Sequence, residues 1–304
     1  MMYLFYLFPM VICAIFADPD EACDKSKCRG VGQYLTDLRC MPIYGPDDNC
    51  CPIKYNCDHL KDRAVDKCYY KGHVYEIGER LRPEDARPCD IGCHCASGYN
   101  NNPAKFTCAV VDCFARARPG CYLKANHTRC CSGPEVCPET EENLAKCEVD
   151  GKTYLDGQRF TPASVPKKNC ICSEGYKGEN IAPFCKDSEP TSCNTELRRR
   201  TEQYQNCIPT FYGFQNPATD CSYAFRCQND KDRVIPGSGT RSSAESDPSD
   251  TCTFGQLKMN IGDELNQATD YSSVCMKCVC EVPPVATCKR RPDDECDVTV
   301  HPEF

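Results

Sequence analysis

Cysteine has the most chemistry to offer in this chain, and its spacing repeats. The run Cys50-Cys51, five residues, Cys57 recurs as Cys130-Cys131, five residues, Cys137, and in reduced form as Cys221, five residues, Cys227. A second pattern sets two cysteines one residue apart, at Cys93-His94-Cys95, Cys170-Ile171-Cys172 and Cys278-Val279-Cys280. Thiols so placed can pair as disulfides or, as at Cys275, Cys278 and Cys280, ligate zinc. Thirty-one cysteines in 304 residues is the density of a disulfide scaffold. Repetition of the grid means one small module used several times.

The N-terminus decides between the two chemistries. Residues 1–17 hold no charged side chain and are mostly apolar, and Asp18-Pro19-Asp20-Glu21 then turns abruptly acidic. This reads as a secretory signal peptide, since spanning a membrane takes about 20 apolar residues. Its removal takes Cys13 with it and leaves thirty cysteines, the even number that full pairing requires. Secretion and even parity favour disulfides over zinc, so the expectation is a secreted, extracellular chain with no metal, no cofactor and no membrane anchor.

Composition bounds the architecture. There is no Trp, cysteine supplies much of the 40% hydrophobic content, and 23 Pro and 18 Gly punctuate the chain. Long helical periodicities are hard to find. Several small modules are expected, each held by disulfides because none buries enough apolar surface alone. The net charge of −8 argues against nucleic acid and anionic lipid as partners.

The modules align on their cysteines. A full unit holds Cys68, Cys89, Cys93, Cys95, Cys108, Cys113, Cys121, Cys130, Cys131 and Cys137. A reduced unit holds Cys147, Cys170, Cys172, Cys185, Cys193, Cys207, Cys221 and Cys227. The N-terminal Cys23, Cys28, Cys40, Cys50, Cys51 and Cys57 match the second half of the full unit. The C-terminal Cys252, Cys275, Cys278, Cys280, Cys288 and Cys296 match its first half. Other residues keep the same register. Seven positions after the first cysteine stand Tyr75, Tyr154 and Met259; ten after it, Gly78, Gly157 and Gly262. An acid or amide follows (Glu79, Gln158, Asp263), and two residues further an apolar side chain (Leu81, Phe160, Leu265).

The domains read as residues 18–60 (half module), 66–140 (full module), 145–227 (reduced module), 228–251 (flexible linker, with Pro236-Gly237-Ser238-Gly239) and 252–304 (half module). The reduced unit lacks two cysteines at once, which identifies the two as partners, because loss of one alone would strand a thiol.

The Gly-x-x-Tyr-x-x-Gly-Glu signature, the C-x-x-C-x-C cluster of Cys275, Cys278 and Cys280, and the Cys50-Cys51-Pro52 terminus together resemble the von Willebrand factor type C module, or chordin-type cysteine-rich repeat. The sequence departs from that pattern at Cys130-Cys131-Ser132, in one extra residue between Cys89 and Cys93, and in lacking the usual Trp. The resemblance implies pairs Cys68–Cys95, Cys89–Cys130, Cys93–Cys108, Cys113–Cys131 and Cys121–Cys137. For the reduced unit it implies Cys147–Cys172, Cys170–Cys185, Cys193–Cys221 and Cys207–Cys227. At the ends it implies Cys28–Cys51 and Cys40–Cys57, then Cys252–Cys280 and Cys278–Cys288. Cys23 with Cys50, and Cys275 with Cys296, follow by default; the rival is a head-to-tail bridge between Cys50 and Cys275.

The expected fold is small, disulfide-rich and mostly β, with short antiparallel sheets (strands within residues 72–81 and 106–111) and loop-rich second halves. The expected function is a secreted, non-enzymatic protein binding an extracellular protein ligand. By resemblance that ligand is a growth factor of the transforming growth factor beta superfamily or a matrix protein. A secreted protease inhibitor, with a loop at residues 28–40 or 193–207, and a structural matrix component are the alternatives. The scattered His59, His73, His94, His127 and His301 fit no hydrolase frame. Asn126-His127-Thr128 is an N-glycosylation acceptor. Arg198-Arg199-Arg200 reads as a solvated loop, with a processing site or basic patch as the sharper alternative.

Overall fold

Tight turns start every first half. In the computed structural model Lys71 and Gly72 both hold positive φ (50° and 84°), as do Asp150 and Gly151 (51° and 74°). Two such residues form the hairpin turn whose twist suits antiparallel strands. They join Cys68–Tyr70 to His73–Tyr75 and Lys146–Val149 to Lys152–Leu155; Thr251–Phe254 pairs with Leu257–Asn260 across a two-residue turn in which Gly255 alone has positive φ (55°). The register sets Cys68 opposite Tyr75, Cys147 opposite Tyr154 and Cys252 opposite Met259. The spacing of seven is therefore a cross-strand pair. The structure describes residues 23–113, 116–140, 143–166, 168–187, 192–237, 250–292, 294–297 and 299. Residues 1–17, read above as a signal peptide, lie outside them with Cys13, as does residue 301.

The Gly-acid signature is a backbone device. Gly78, Gly157 and Gly262 have φ of 87°, 78° and 94°, where a Cβ would be strained. Their N–H groups donate to Cys95, Cys172 and Cys280 at 2.7, 2.7 and 2.8 Å. The same cysteines donate back to the carbonyls of Glu79, Gln158 and Asp263 at 2.9, 2.9 and 3.0 Å. The side chains of those three accept from the N–H of Glu76, Leu155 and Asn260 at 2.9, 2.9 and 2.7 Å. An oxygen acceptor is what the position requires, which is why Glu, Gln and Asp are interchangeable there.

Second halves are less loop-rich than expected. Each described one carries a hairpin: Met41–Tyr44 with Pro52–Asn56, Tyr122–Leu123 with Glu135–Val136, and Ile208–Phe211 with Ala224–Arg226. Two also carry helices, Gly32–Asp37, and Thr195–Arg198 followed by Arg200–Tyr204. Buried Tyr34, Leu35 and Leu197 anchor these short helices, too short to stand alone. The strands expected within residues 72–81 and 106–111 shorten to His73–Tyr75 and Lys105–Thr107. The fold is small, disulfide-rich and mostly β.

Packing redraws the domain boundaries. The first half of the reduced unit has its own core of Cys147, Val149, Phe160, Cys170, Cys172 and Cys185. It docks on the preceding second half, where the Tyr122 hydroxyl donates to Asp156 and Ala125 N–H reaches the Gly157 carbonyl at 3.4 Å. The second half goes elsewhere. Phe211 and Phe225 join the core of Val31, Tyr34, Leu35 and Leu38, while Ile208 joins that of Phe254, Met259 and Leu265. Residues 145–227 are thus not one body. The missing cysteine pair is the one that would have tied the two halves together.

The ends meet through packing. Tyr55 N–H donates to the Pro283 carbonyl at 2.9 Å, and Lys54 pairs with Asp250 at 2.8 Å. The Ile208–Phe211 strand lies parallel to Val285–Arg290, building a six-stranded sheet. The flexible-linker reading is corrected for its described part. Val234–Ile235 pairs with Glu264–Leu265 at the far edge of that sheet, and Asp232 is buried against the guanidinium of Arg226 at 2.5 Å. A buried cation recruits a carboxylate, and the segment follows it in. Residues 238–249 of the linker lie outside the described residues.

Two outcomes follow from this sheet. A specific protease site engineered between residues 238 and 249, once cut, should give two bands on a denaturing non-reducing gel, yet one species on native size exclusion. The strands of the C-terminal half stay sandwiched between strands from before the cut. A single band on the denaturing gel would show a covalent bridge between the ends. Asp232→Ala leaves Arg226 buried and unpaired, and should cost about 3–5 kcal/mol in denaturant titration with the disulfides intact.

Candidate functional site

The cysteines come together in fifteen disulfides among the described residues. At the N-terminus they are Cys23–Cys50, Cys28–Cys51 and Cys40–Cys57. The full unit holds Cys68–Cys95, Cys89–Cys130, Cys93–Cys108, Cys113–Cys131 and Cys121–Cys137. The reduced unit holds Cys147–Cys172, Cys170–Cys185, Cys193–Cys221 and Cys207–Cys227. The C-terminal half holds Cys252–Cys280, Cys275–Cys296 and Cys278–Cys288. These coincide with the pairs the resemblance and the default pairing imply, and Cys50 and Cys275 have separate partners. Three close clusters of metal-ligating types occur: Cys28 with Cys50 and Cys51, Cys113 with Cys130 and Cys131, and Cys121 with Glu135 and Cys137. Every cysteine in them is oxidised, and a metal takes the thiolate.

Most described histidines are tied to the scaffold. His59 meets the Leu38 carbonyl at 2.9 Å, and His127 that of Phe184 at 3.0 Å. His73 Nδ1 lies 2.6 Å from Asp85, which also takes the Tyr75 hydroxyl. Burial presses the Asp85 carboxyl upward, but the hydrogen bonds from Tyr75 and His73 outweigh it and hold it below the usual range. His94 is exposed between buried Cys93 and Cys95, as strand alternation requires.

The arginine triplet is not a solvated loop. It lies where one short helix gives way to the next. Arg198 pairs with Asp90 at 3.0 Å, Arg199 pairs with Glu202 at 3.2 Å and lies over the Phe225 ring, and Arg200 is buried. Only Arg200 is drawn inside; the Arg198 and Arg199 side chains stay 41% and 42% exposed while pairing with their carboxylates. The segments offered as inhibitor loops are likewise helical in part, with Tyr34, Leu35, Thr195, Glu196 and Leu197 buried. An extended, exposed strand for a protease cleft is not what they present.

The surface feature that sequence reasoning missed is aromatic. The loop between Ile208–Phe211 and Ala224–Arg226 stacks Tyr212 on Tyr223 at 3.9 Å between centroids and 14° between planes. Phe214 continues the stack at 5.5 Å and 10°. Phe214 is 87% exposed, and Tyr212 and Tyr223 are also exposed. Tyr223 lines a cavity of about 330 Å³ with Tyr271, itself 76% exposed. Thr210 Oγ1 borders that cavity, buried and without a hydrogen-bond partner.

The loop that carries the stack is fixed from several sides. The Cys193–Cys221 bridge anchors it, and Cys207–Cys227 closes the base of its hairpin. The Gln215 side chain accepts from Tyr212 N–H at 2.8 Å and donates to the Cys221 carbonyl at 2.9 Å. Asn216 Nδ2 donates to the Ser26 carbonyl at 2.6 Å, tying the loop to the N-terminal half. The available sequence signal was Tyr212-Gly213-Phe214 directly after four buried residues. Alternation alone does not say that the aromatics face water.

Asn126 and Thr128 of the sequon are exposed, and Asn126 Oδ1 accepts from the backbone and hydroxyl of Thr128, both at 2.7 Å. No helix among the described residues is long and apolar enough to cross a membrane. No family model matches the chain, and no solved structure matches it.

Proposed function

We propose that the chain is a secreted, non-enzymatic binding protein that receives an extracellular protein ligand on the aromatic face of Phe214, Tyr212, Tyr223 and Tyr271. The carrying observation is the three-ring stack held exposed on a disulfide-closed hairpin. Large aromatic side chains dominate the energetics of protein interfaces, and contiguous exposed ones mark interaction sites. Stacking has already restricted the rings, so little side-chain entropy remains to be lost on binding. Fifteen disulfides are compatible with an extracellular protein and support the secretory reading of residues 1–17.

The ligand class comes from the resemblance to von Willebrand factor type C modules. It is a growth factor of the transforming growth factor beta superfamily or a matrix protein. Asn126 carries an N-glycan in this reading, since its side chain and that of Thr128 face solvent.

Surface plasmon resonance against a panel of purified growth factors of that superfamily and matrix proteins tests the proposal. At least one should bind, and Phe214→Ser with Tyr212→Ser should weaken it at least tenfold, about 1.4 kcal/mol or more. The disulfide map should be unchanged. Undiminished binding by the double variant would move the site elsewhere, and no binder in the panel would remove the proposed ligand class. Secreted protein should also lose mass on N-glycosidase treatment, and Asn126→Gln should abolish that loss.

A further inference from the structure

Where the N-terminal half, the second half of the reduced unit and the C-terminal half meet, they enclose a cavity of about 300 Å³. Leu35, Leu38, Leu60 and Val285 give it an apolar wall. Arg63 and Arg200 give it a cationic end, and no acid is among its lining residues. Arg200 is 6% exposed, and the Arg63 side chain is equally buried. Arg63 has a counter-ion: its Nη2 donates to Glu196, whose second oxygen accepts from Lys71 N–H at 3.0 Å. Arg200 has none among the described residues. Its guanidinium lies 5.9 Å from the Tyr69 ring centroid, and its Nε–H is buried without an acceptor, as is Arg63 Nη1. Burial and the nearby Arg63 charge both press the Arg200 pKa downward, yet arginine starts too high to lose its proton. One carboxylate thus serves two buried guanidiniums, and orphaned donors of this kind are costly unless something fills them.

We propose that this cavity is a binding site for an amphipathic carboxylate: a single carboxyl group on a short apolar stem, the carboxylate taken by Arg200 and Arg63 and the stem by the leucine wall. The charge fits because the site lacks one anion. The apolar stem fits the wall of Leu35, Leu38, Leu60 and Val285, while the polar lining residues Lys61, Asn206 and Thr253 leave room for water beside it. Gln203 Oε1, also buried and unpartnered at the cavity, is an acceptor for any hydroxyl beside the carboxylate. The volume lies at the small end of the range for ligand sites. None of these residues belongs to the aromatic face, so the two sites stand or fall separately.

Calorimetric titration of the intact secreted protein with hexanoate, hexanol and acetate tests this. Hexanoate should saturate one site, with hexanol (no charge) and acetate (no stem) each at least tenfold weaker. Arg200→Gln should weaken hexanoate at least tenfold while leaving hexanol unchanged. Leu60→Trp, which narrows the cavity and keeps both cations, should weaken all three. Should either variant fail to fold, the unaltered protein supplies an independent reading: the Arg200 Nε–H resonance should shift on adding hexanoate and not on adding hexanol. No saturable hexanoate binding would show that water alone satisfies these donors and would overturn the proposal. So would equal binding of hexanol, or a variant without Arg200 that binds as well.

Discussion

Arg226 is fully buried, with Asp232 as its counter-ion at 2.5 Å, and the same guanidinium nitrogen reaches the Asn266 carbonyl at 3.0 Å in the following half unit. Thr269 joins the cluster, donating to Asp232 at 2.8 Å. The fifteen disulfides close loops of 10 to 41 residues, and none joins the second half of the reduced unit to its neighbours. Such bridges limit the unfolded state of each module and say nothing about how modules sit together. That arrangement rests on buried polar contacts of this kind. Glu196 with Arg63 does for the central module what Asp232 does for the C-terminal half, and Asp90 with the part-exposed Arg198 adds a contact at its rim. Charges that lose water when two modules meet are strongly bound only to the correct partner, so these pairs fix the geometry even where their net stabilisation is small.

The absent cysteine pair is what frees the hub. In the full unit Cys89–Cys130 staples first half to second half. Without that staple, residues 193–227 lie between the two ends of the chain, contributing Phe211 and Phe225 to one core and Ile208 to another. The ends of the chain therefore approach each other without a covalent link. Entropy agrees, because a local bridge closes a shorter loop than one joining residue 50 to residue 275.

The cysteine grid was legible because three of the modules repeat it beside an independent landmark. Gly78, Gly157 and Gly262 occupy one backbone conformation, and a conformation that only glycine adopts easily leaves a mark in sequence. The partnership between modules left no such mark. Asp232 sits in a stretch rich in Asp, Gly and Ser, where composition reads as linker, and its burial depends on an arginine that is distant in character if near in sequence. Arg198-Arg199-Arg200 fails for the same reason. A basic run has no intrinsic address until Asp90 and the Phe225 ring are brought to it by the fold. Local geometry is written locally, and tertiary pairing of charges is not.

The aromatic face differs from the rest of the chain in its use of phenylalanine. A chain with no Trp and 12 Phe has little apolar material to spare. The other described phenylalanines are used closely: Phe211 and Phe254 are fully buried, Phe106 and Phe160 nearly so, and Phe184 and Phe225 half-buried. Phe214 is instead held in water at 87% exposure on a loop fixed by a disulfide and the Gln215 amide. Folding alone would bury it or replace it with a polar residue. Departures from otherwise consistent local rules concentrate where a protein does its work. The hairpin that carries Phe214 also packs on both ends of the chain, with Phe211 and Phe225 in the N-terminal core and its first strand parallel to Val285–Arg290, so the exposed rings stand on a braced part of the molecule.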